Sequence, residues 1–169
     1  MAQKFLRDLS GVITELEGLV TSAGAGDAGK IPALDGSGKL DVSLMPAGIA
    51  AEVSVIATSE NLSAGDFVNL HNSTGIKARK ADASSSAKWA VGFVLAGVTA
   101  PANATIYAVS NKNTGLSGRT VGALQYLSTT PGGVTETAPS GAGNIVQCLG
   151  CAESATEMVF QGFSWFVKA

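Results

Sequence analysis

The chain has 169 residues, of which 46% are hydrophobic and only 14% charged, with 21 glycines and a formal net charge of −2. So few charges suit a surface that packs against neighbouring chains better than a monomer bathed in solvent. The weak negative charge excludes a basic surface for nucleic acid, and no apolar run approaches the length of a membrane span, so we expect neither nucleic acid nor a membrane as a partner.

Residues 1–22 are predicted to form an amphipathic helix. The a and d positions of a heptad repeat are apolar, at Leu6, Leu9, Ile13, Leu16 and Val20. The neighbouring g positions are also apolar, at Phe5, Val12 and Leu19. So wide a stripe favours three or more helices, or a helix lying on another surface. Two glycines make the helix marginal alone, so it needs a partner, either another chain or its own domain.

The same segment lacks the unbroken apolar stretch of a secretion signal, and it carries the acids Asp8, Glu15 and Glu17. We therefore expect the chain to be made and assembled in the cytoplasm.

Residues 23–52 are predicted to be an extended arm that begins at a break around Gly24 and Gly26. The arm contains the stretch ALDGSGKLDVSLMP, whose two aspartates around a glycine-rich centre look like a calcium loop. Counted from Asp35, however, the fifth and twelfth positions are Lys39 and Pro46, which offer no oxygen ligand from their side chains. The stretch is therefore predicted to be a turn capped by the Asp35 side chain, without a metal.

Residues 53–169 are predicted to form a small antiparallel β-barrel or sandwich. Short β-type runs separated by turn signals every 8–12 residues are typical of such folds. The TPGG sequence between Gly122–Thr129 and Val134–Pro139 is a strong hairpin signal. No alternation of strand and helix is present, which argues against a parallel nucleotide-binding sheet.

Cys148 and Cys151 are the two cysteines, and both fall in a β-type run. On a regular strand, residues three apart point to opposite faces and lie about 10 Å apart, too far for a disulfide. A zinc site needs further ligands, and His71 is the single histidine. The thiols are therefore expected to be buried and to act as small apolar groups.

No pattern of a catalytic site is found. No serine lies in a GxSxG motif, so nothing in the sequence indicates a nucleophile for His71 to activate. The stretch GAGDAGK at 24–30 follows a predicted helix and lacks the Gly-Lys-Ser/Thr ending of a phosphate loop. A glycan hydrolase, kept as a further alternative, needs two carboxylates in one cleft. The acids of the β region form no recognisable pair, at Asp66, Asp82, Glu136, Glu153 and Glu157. We therefore predict that the chain is not an enzyme and has no cofactor.

The first 46 residues, with the phrase GKIPALDGSGKLDVSLMP, resemble the start of small virion proteins of tailed bacteriophages. The later phrases LSAGDFVNL, WAVGFVLAGVTAPANATIYAVS and GALQYLSTTPGGVTETAP have the cadence of head-decoration (cement or capsid-fibre) proteins. The resemblance covers nearly the whole chain, and related pieces occur in phage tail fibres.

The resemblance implies a homotrimer on the capsid surface of the virion, bound to the major capsid protein and made in the host cytoplasm. The helical stripe would join three chains or dock on the capsid. The arm would run between subunits, with apolar anchors at Ile31, Leu34, Leu40, Leu44 and Met45. The β region would be an exposed knob or head fibre, and repeated modest contacts over the shell would give avidity. A tail-fibre or baseplate component that touches the host is the structural alternative.

Overall fold

The structure is a computed structural model that describes residues 4–45, 52–162 and 164–169. The chain divides into two compact units, residues 1–50 (unit 1) and 51–169 (unit 2). The described residues are mainly β, and all pairings between named strands are antiparallel. In the part of the chain described, no helix has the length and apolarity to cross a membrane.

Unit 1 begins with a β-hairpin of strands β1 (Lys4–Leu9) and β2 (Val12–Glu17). The two-residue turn consists of Ser10 and Gly11, with φ of 56° and 88°. Two successive positive φ angles are the mark of a type I′ turn, whose twist matches that of the paired strands. Asp8 Oδ1 accepts a hydrogen bond from the Gly11 N–H at 2.7 Å and fixes the turn.

The amphipathic helix predicted for residues 1–22 is therefore wrong over the described residues. The hairpin register pairs Phe5 with Leu16 on one face and places Leu6 and Ile13 on the other. The residues of the supposed helical stripe are thus divided between two faces of a ribbon. The spacing of apolar residues fitted both periods, and Gly11 decides between them, because it favours a tight turn and weakens a helix.

After the hairpin, the chain folds back on itself. Leu19 bridges Pro32 in parallel, with the Leu19 N–H donating to Ile31 O and the Ala33 N–H to Leu19 O, both at 2.9 Å. Short 3₁₀ turns occur at Ala25–Asp27 and Val42–Leu44. The arm predicted as extended over 23–52 is therefore interrupted by turns, and its residues 46–51 lie outside the described ranges.

The strands of unit 2 are β3 (Val53–Ala57), β4 (Phe67–Asn72), β5 (Ile76–Lys80), β6 (Gly92–Phe93), β7 (Asn103–Tyr107), β8 (Lys112–Asn113), β9 (Leu124–Leu127), β10 (Val134–Thr135), β11 (Ile145–Cys151), β12 (Met158–Val159) and β13 (Trp165–Val167). They form sheets of order β3-β7-β6-β4-β5, β10-β9-β11-β13 and β12-β8. The predicted β region and the TPGG hairpin, now β9 and β10, are confirmed. Among the strands described, no sheet closes into a barrel.

The main core of unit 2 lies between the two larger sheets. Phe67 and Phe93 from the five-stranded sheet meet Leu127 and Leu149 from the four-stranded sheet. Phe160 packs edge-on against Phe67, with ring centroids 5.4 Å apart. A second cluster covers the other face of the five-stranded sheet and includes Val68, Ala104 and Ile106. Burial on both sides makes this sheet the framework of unit 2.

Strand β11 contains a bulge that changes the direction of its side chains. Cys148 lies opposite Tyr126 of β9, whereas Cys151 lies opposite Leu124, so Leu149 is the extra residue. Because Tyr126 and Leu124 are two apart on one strand, they share a face, and so do the two cysteines. The prediction that the thiols point to opposite faces is wrong for this reason. Both cysteines are free and half-buried, not fully buried as expected.

Candidate functional site

Unit 1 exposes an unusual amount of apolar side-chain surface. It supplies about a quarter of the described residues but half of the large apolar side chains that are exposed. Leu6 and Ile13 are the most open, at 74% and 71%. The exposed set of unit 1 comprises Leu6, Val12, Ile13, Leu16, Val20, Ile31, Leu34, Leu40, Val42 and Met45. Ala33 is the one buried side chain that the structure describes in this unit.

A groove of about 660 Å³ runs through this surface, between the hairpin and the bridged segments that follow it. Its apolar lining comes from six residues predicted as interface, namely Phe5, Leu6, Leu16, Leu19, Val20 and Ile31. We call it the apolar groove. Arg7, Glu17 and Lys30 also line it, so the groove carries both signs of charge.

The other predicted interface residues lie away from the groove. Five of them are exposed, namely Val12, Ile13, Leu34, Leu40 and Met45. Leu44 is half-buried, and the side chain of Leu9 lies outside the described part of the structure. The prediction omitted Val42, which is 60% exposed. Its place between Leu40 and Leu44 was the signal that could have included it.

Local polar contacts, more than apolar packing, hold the loops of unit 1. Asp35 Oδ1 accepts hydrogen bonds from the N–H groups of Ser37 (2.8 Å) and Lys39 (2.9 Å) and from the Ser37 hydroxyl (2.7 Å). These bonds, led by that from Lys39, lower the pKa of Asp35. The predicted turn with an Asp35 cap is thus confirmed, and the carboxylate is directed at its own loop.

Two further aspartates act in the same way. Asp27 accepts from Lys30 Nζ at 2.6 Å and from the Ala23 N–H at 2.7 Å, and the bond from Lys30 contributes most to lowering its pKa. Asp41 caps the second 3₁₀ turn through Ser43, whose hydroxyl accepts from the Ser22 N–H at 2.8 Å. The carboxylates of Asp27, Asp35 and Asp41 thus hold local loops of unit 1, and these hydrogen bonds favour their ionised form.

The single histidine has a partner that the sequence did not suggest. His71 Nε2 lies 2.9 Å from Ser59 Oγ, which is also 3.2 Å from the carbonyl oxygen of Ala78. The hydroxyl has one hydrogen and cannot donate to both acceptors. Glu60, the nearby acid, accepts from the Lys80 N–H at 2.6 Å. The arrangement joins β4 and β5 to the segment after β3 and does not assemble a triad.

The acids weighed for glycan hydrolysis all have partners in unit 2. Asp66 pairs with Lys80 at 3.1 Å and Asp82 with Lys88 at 3.7 Å. Lys112 bridges two of the glutamates, at 2.7 Å from Glu153 and 3.6 Å from Glu157.

Glu136 accepts from the Thr120 N–H at 2.6 Å, and this bond lowers its pKa. Each carboxylate thus has a cation or a backbone group as its partner. Within the described ranges, no three His, Cys, Asp or Glu residues gather in a way that could hold a metal ion.

Comparisons of the chain with protein-family models, with curated proteins and with solved structures find no match. Two features of the chain remain that bear on function, namely the surface of unit 1 and the phrases of the sequence itself. Of these, the surface is the physical observation, because exposed apolar surface of this extent marks a site of interaction or of aggregation.

Proposed function

We propose that the protein is a structural component of a tailed-bacteriophage virion, a homotrimeric decoration protein that binds the major capsid protein and stabilises the head shell. The observation that carries the proposal is the apolar surface of unit 1, which has Ala33 as its one buried side chain within the described residues. The choice of a virion protein among assembly proteins is supported by the sequence phrases, which resemble those of small phage virion proteins.

The energetics of unit 1 support an assembly role. A large apolar side chain contributes roughly 1.5–3 kcal/mol when it passes from full exposure to full burial. Ten such side chains of unit 1 are exposed. Covering even part of them offers several kilocalories per mole to an assembly, whereas the separate chain gains little from them. Repetition around a shell multiplies these modest contacts into avidity.

The hairpin supplies a second means of association. Within the described residues, β1 and β2 pair with each other, which leaves one backbone edge on each strand. An isolated two-stranded ribbon is marginal in water, and it becomes stable when further strands or an apolar surface are added. We therefore place the trimer contact in this ribbon, in the role first given to a three-helix contact.

Unit 2 fits the part of an exposed knob. Its two larger sheets share one apolar core, as in a sandwich, and its shape does not depend on unit 1 for that core. In this proposal unit 1 attaches and unit 2 projects from the shell. A tail-fibre or baseplate role uses the same two parts but differs in the number of copies on each particle.

Copy number on purified particles tests the proposal. The particles of the phage that encodes the chain are purified, and the chain is quantified against the major capsid protein by mass spectrometry with labelled standards. Hundreds of copies support decoration. A handful would favour a tail component and overturn the decoration role, and absence from the particle would overturn both.

The mass of the free protein provides an independent test. Light scattering of the full chain is expected to give three times the mass of 16.9 kDa. A monomer over the whole range of concentration measured would contradict the trimer.

A further inference from the structure

The bulge in β11 creates a pair of thiols that the sequence alone would not place together. On a regular strand, Cys148 and Cys151 would face away from each other. The extra residue Leu149 restores the same side-chain direction at both cysteines. They stand across from Tyr126 and Leu124 on the outer face of the four-stranded sheet, opposite to the face that carries the buried Leu127 and Leu149.

The spacing of the pair selects the kind of ligand it suits. Residues two apart on the partner strand are about 6.6 Å apart, at about 3.3 Å per residue, and the register sets the two cysteines opposite such a pair. This is close to the upper limit of about 7 Å for the Cα atoms of a disulfide. A metal ion bonded to both sulfurs at about 2.3 Å each holds them roughly 4.6 Å apart. The two thiols therefore need to approach each other less closely than in a disulfide, whose S–S bond is about 2.05 Å.

Each thiol makes one weak contact with a backbone carbonyl oxygen. Cys148 Sγ points toward the carbonyl oxygen of Gly150, and Cys151 Sγ toward that of Ala152, each at 3.9 Å. The Cys148 thiol is directed to the Cys151 side of its own position, whereas the Cys151 thiol is directed away from Cys148, so a shared ion requires rotation of the Cys151 side chain. Contacts of this length hold a thiol weakly, so rotation toward a stronger partner costs little.

The chain offers two thiol ligands at this position. In the described part of the chain, no third His, Cys, Asp or Glu joins the pair in a possible metal site. The residues across from the thiols, Tyr126 and Leu124, are uncharged. A tetrahedral zinc site needs four ligands, whereas soft thiolates select monovalent copper and related ions.

We propose that Cys148 and Cys151 together form a binding site for one soft, two-coordinate metal ion, with Cu(I) as the test case. Binding joins the ion to both sulfurs and releases both thiol protons, so that Cu⁺ and two thiols give a dithiolate copper complex of charge −1 and two protons. No electron is transferred. Since both thiols are half-buried, the ion reaches them without unfolding of the sheet. The site is independent of the proposed virion role.

A competition titration tests the site. The full chain is titrated anaerobically with Cu(I) in the presence of bicinchoninate, a coloured Cu(I) chelator, alongside Cys148→Ser, Cys151→Ser and the double variant. The wild type is expected to remove one equivalent of copper from the chelator. Each single variant is expected to bind at least about tenfold more weakly, because one of two ligands is lost.

Several results would overturn the proposal. They are a single variant as tight as the wild type, a wild type as weak as the double variant, or one ion shared between two chains in native mass spectrometry. Circular dichroism of all four proteins checks that the sheet is retained.

Discussion

Ser59 Oγ and His71 Nε2 lie 2.9 Å apart, and this contact links the segment after β3 to strand β4. Burial lowers the pKa of His71 below its ordinary value, the positive charge of Arg79 acts in the same direction, and Glu60 opposes both. The folded protein therefore binds a proton at His71 less readily than the unfolded chain. Above about pH 6.5 both states are neutral, and stability falls as the pH drops from there through the lowered pKa.

We expect this loss to appear as a difference between the wild type and His71→Gln, whose amide keeps a hydrogen bond to Ser59. Urea unfolding measured from pH 7.5 to 5 should show a steeper decline in the wild type. Because His71 is the single histidine, its imidazole signal in NMR gives the pKa directly. A midpoint at or above the ordinary value would contradict the prediction.

The Ser10–Gly11 turn predicts opposite effects of two substitutions. Ser10→Asn should strengthen the hairpin, because Asn-Gly is the preferred pair in a type I′ turn. Gly11→Ala should weaken it by about 1–2 kcal/mol, the usual cost of a positive φ for a residue with a Cβ. NMR contacts between the backbones of Phe5 and Leu16 report the hairpin. Successive amide contacts typical of a helix would show the register to be wrong.

Ile13 and Ile76 form a matched pair for a test of the proposed interface in unit 1. Their side chains are exposed to similar degrees, 71% and 67%, but they lie in different units. Ile13→Asn should weaken self-association by about tenfold or more, equivalent to about 1.4 kcal/mol. Ile76→Asn should leave it unchanged. Sedimentation over a dilution series measures both, and equal effects of the two variants would remove unit 1 from the interface.

Gly150 is required at the bulge of β11. A Cβ at this position would collide with the carbonyl oxygen of Val159, and the residue has a φ of 149°. Gly150→Ala should therefore destabilise unit 2 by about 2–4 kcal/mol through overpacking and backbone strain.

Gly97→Ala is the control, since the Cβ added there would meet Leu62 O at 3.6 Å, an ordinary contact. Urea unfolding followed by tryptophan fluorescence compares the two. Equal urea midpoints for Gly150→Ala and Gly97→Ala would contradict the prediction, because they would show that strand β11 accommodates the added Cβ without loss of stability.

The parts of the fold that depend on local chemistry could be predicted. The TPGG turn and the Asp35 cap are decided by a few neighbouring residues, and both occur as expected. The N-terminal segment could not, because its apolar spacing satisfies a helix and a ribbon together. There the decision rests on the positive φ at Ser10 and Gly11.

In the candidate sites too, the features decided by neighbouring residues could be predicted, and those decided by distant contacts could not. The apolar residues of unit 1 were visible in the sequence, but the groove needs the bridge between Leu19 and Pro32, a pairing that no local pattern indicates. The thiol pair needs a bulge, which reverses the side-chain direction that strict alternation predicts beyond Leu149. Gly150 was the one local hint of a bulge, and the pairing of β11 with β9 decides where the bulge lies.

The concentration of exposed apolar side chains in unit 1 has a consequence for the timing of synthesis. A surface that joins the right partner also joins wrong ones when the chain is abundant and alone. In the proposed assembly, production of the chain ahead of its partner would thus lead to precipitation, and production in step with the partner would lead to assembly. The supply rate of the partner then becomes a determinant of yield, as much as the affinity between the two.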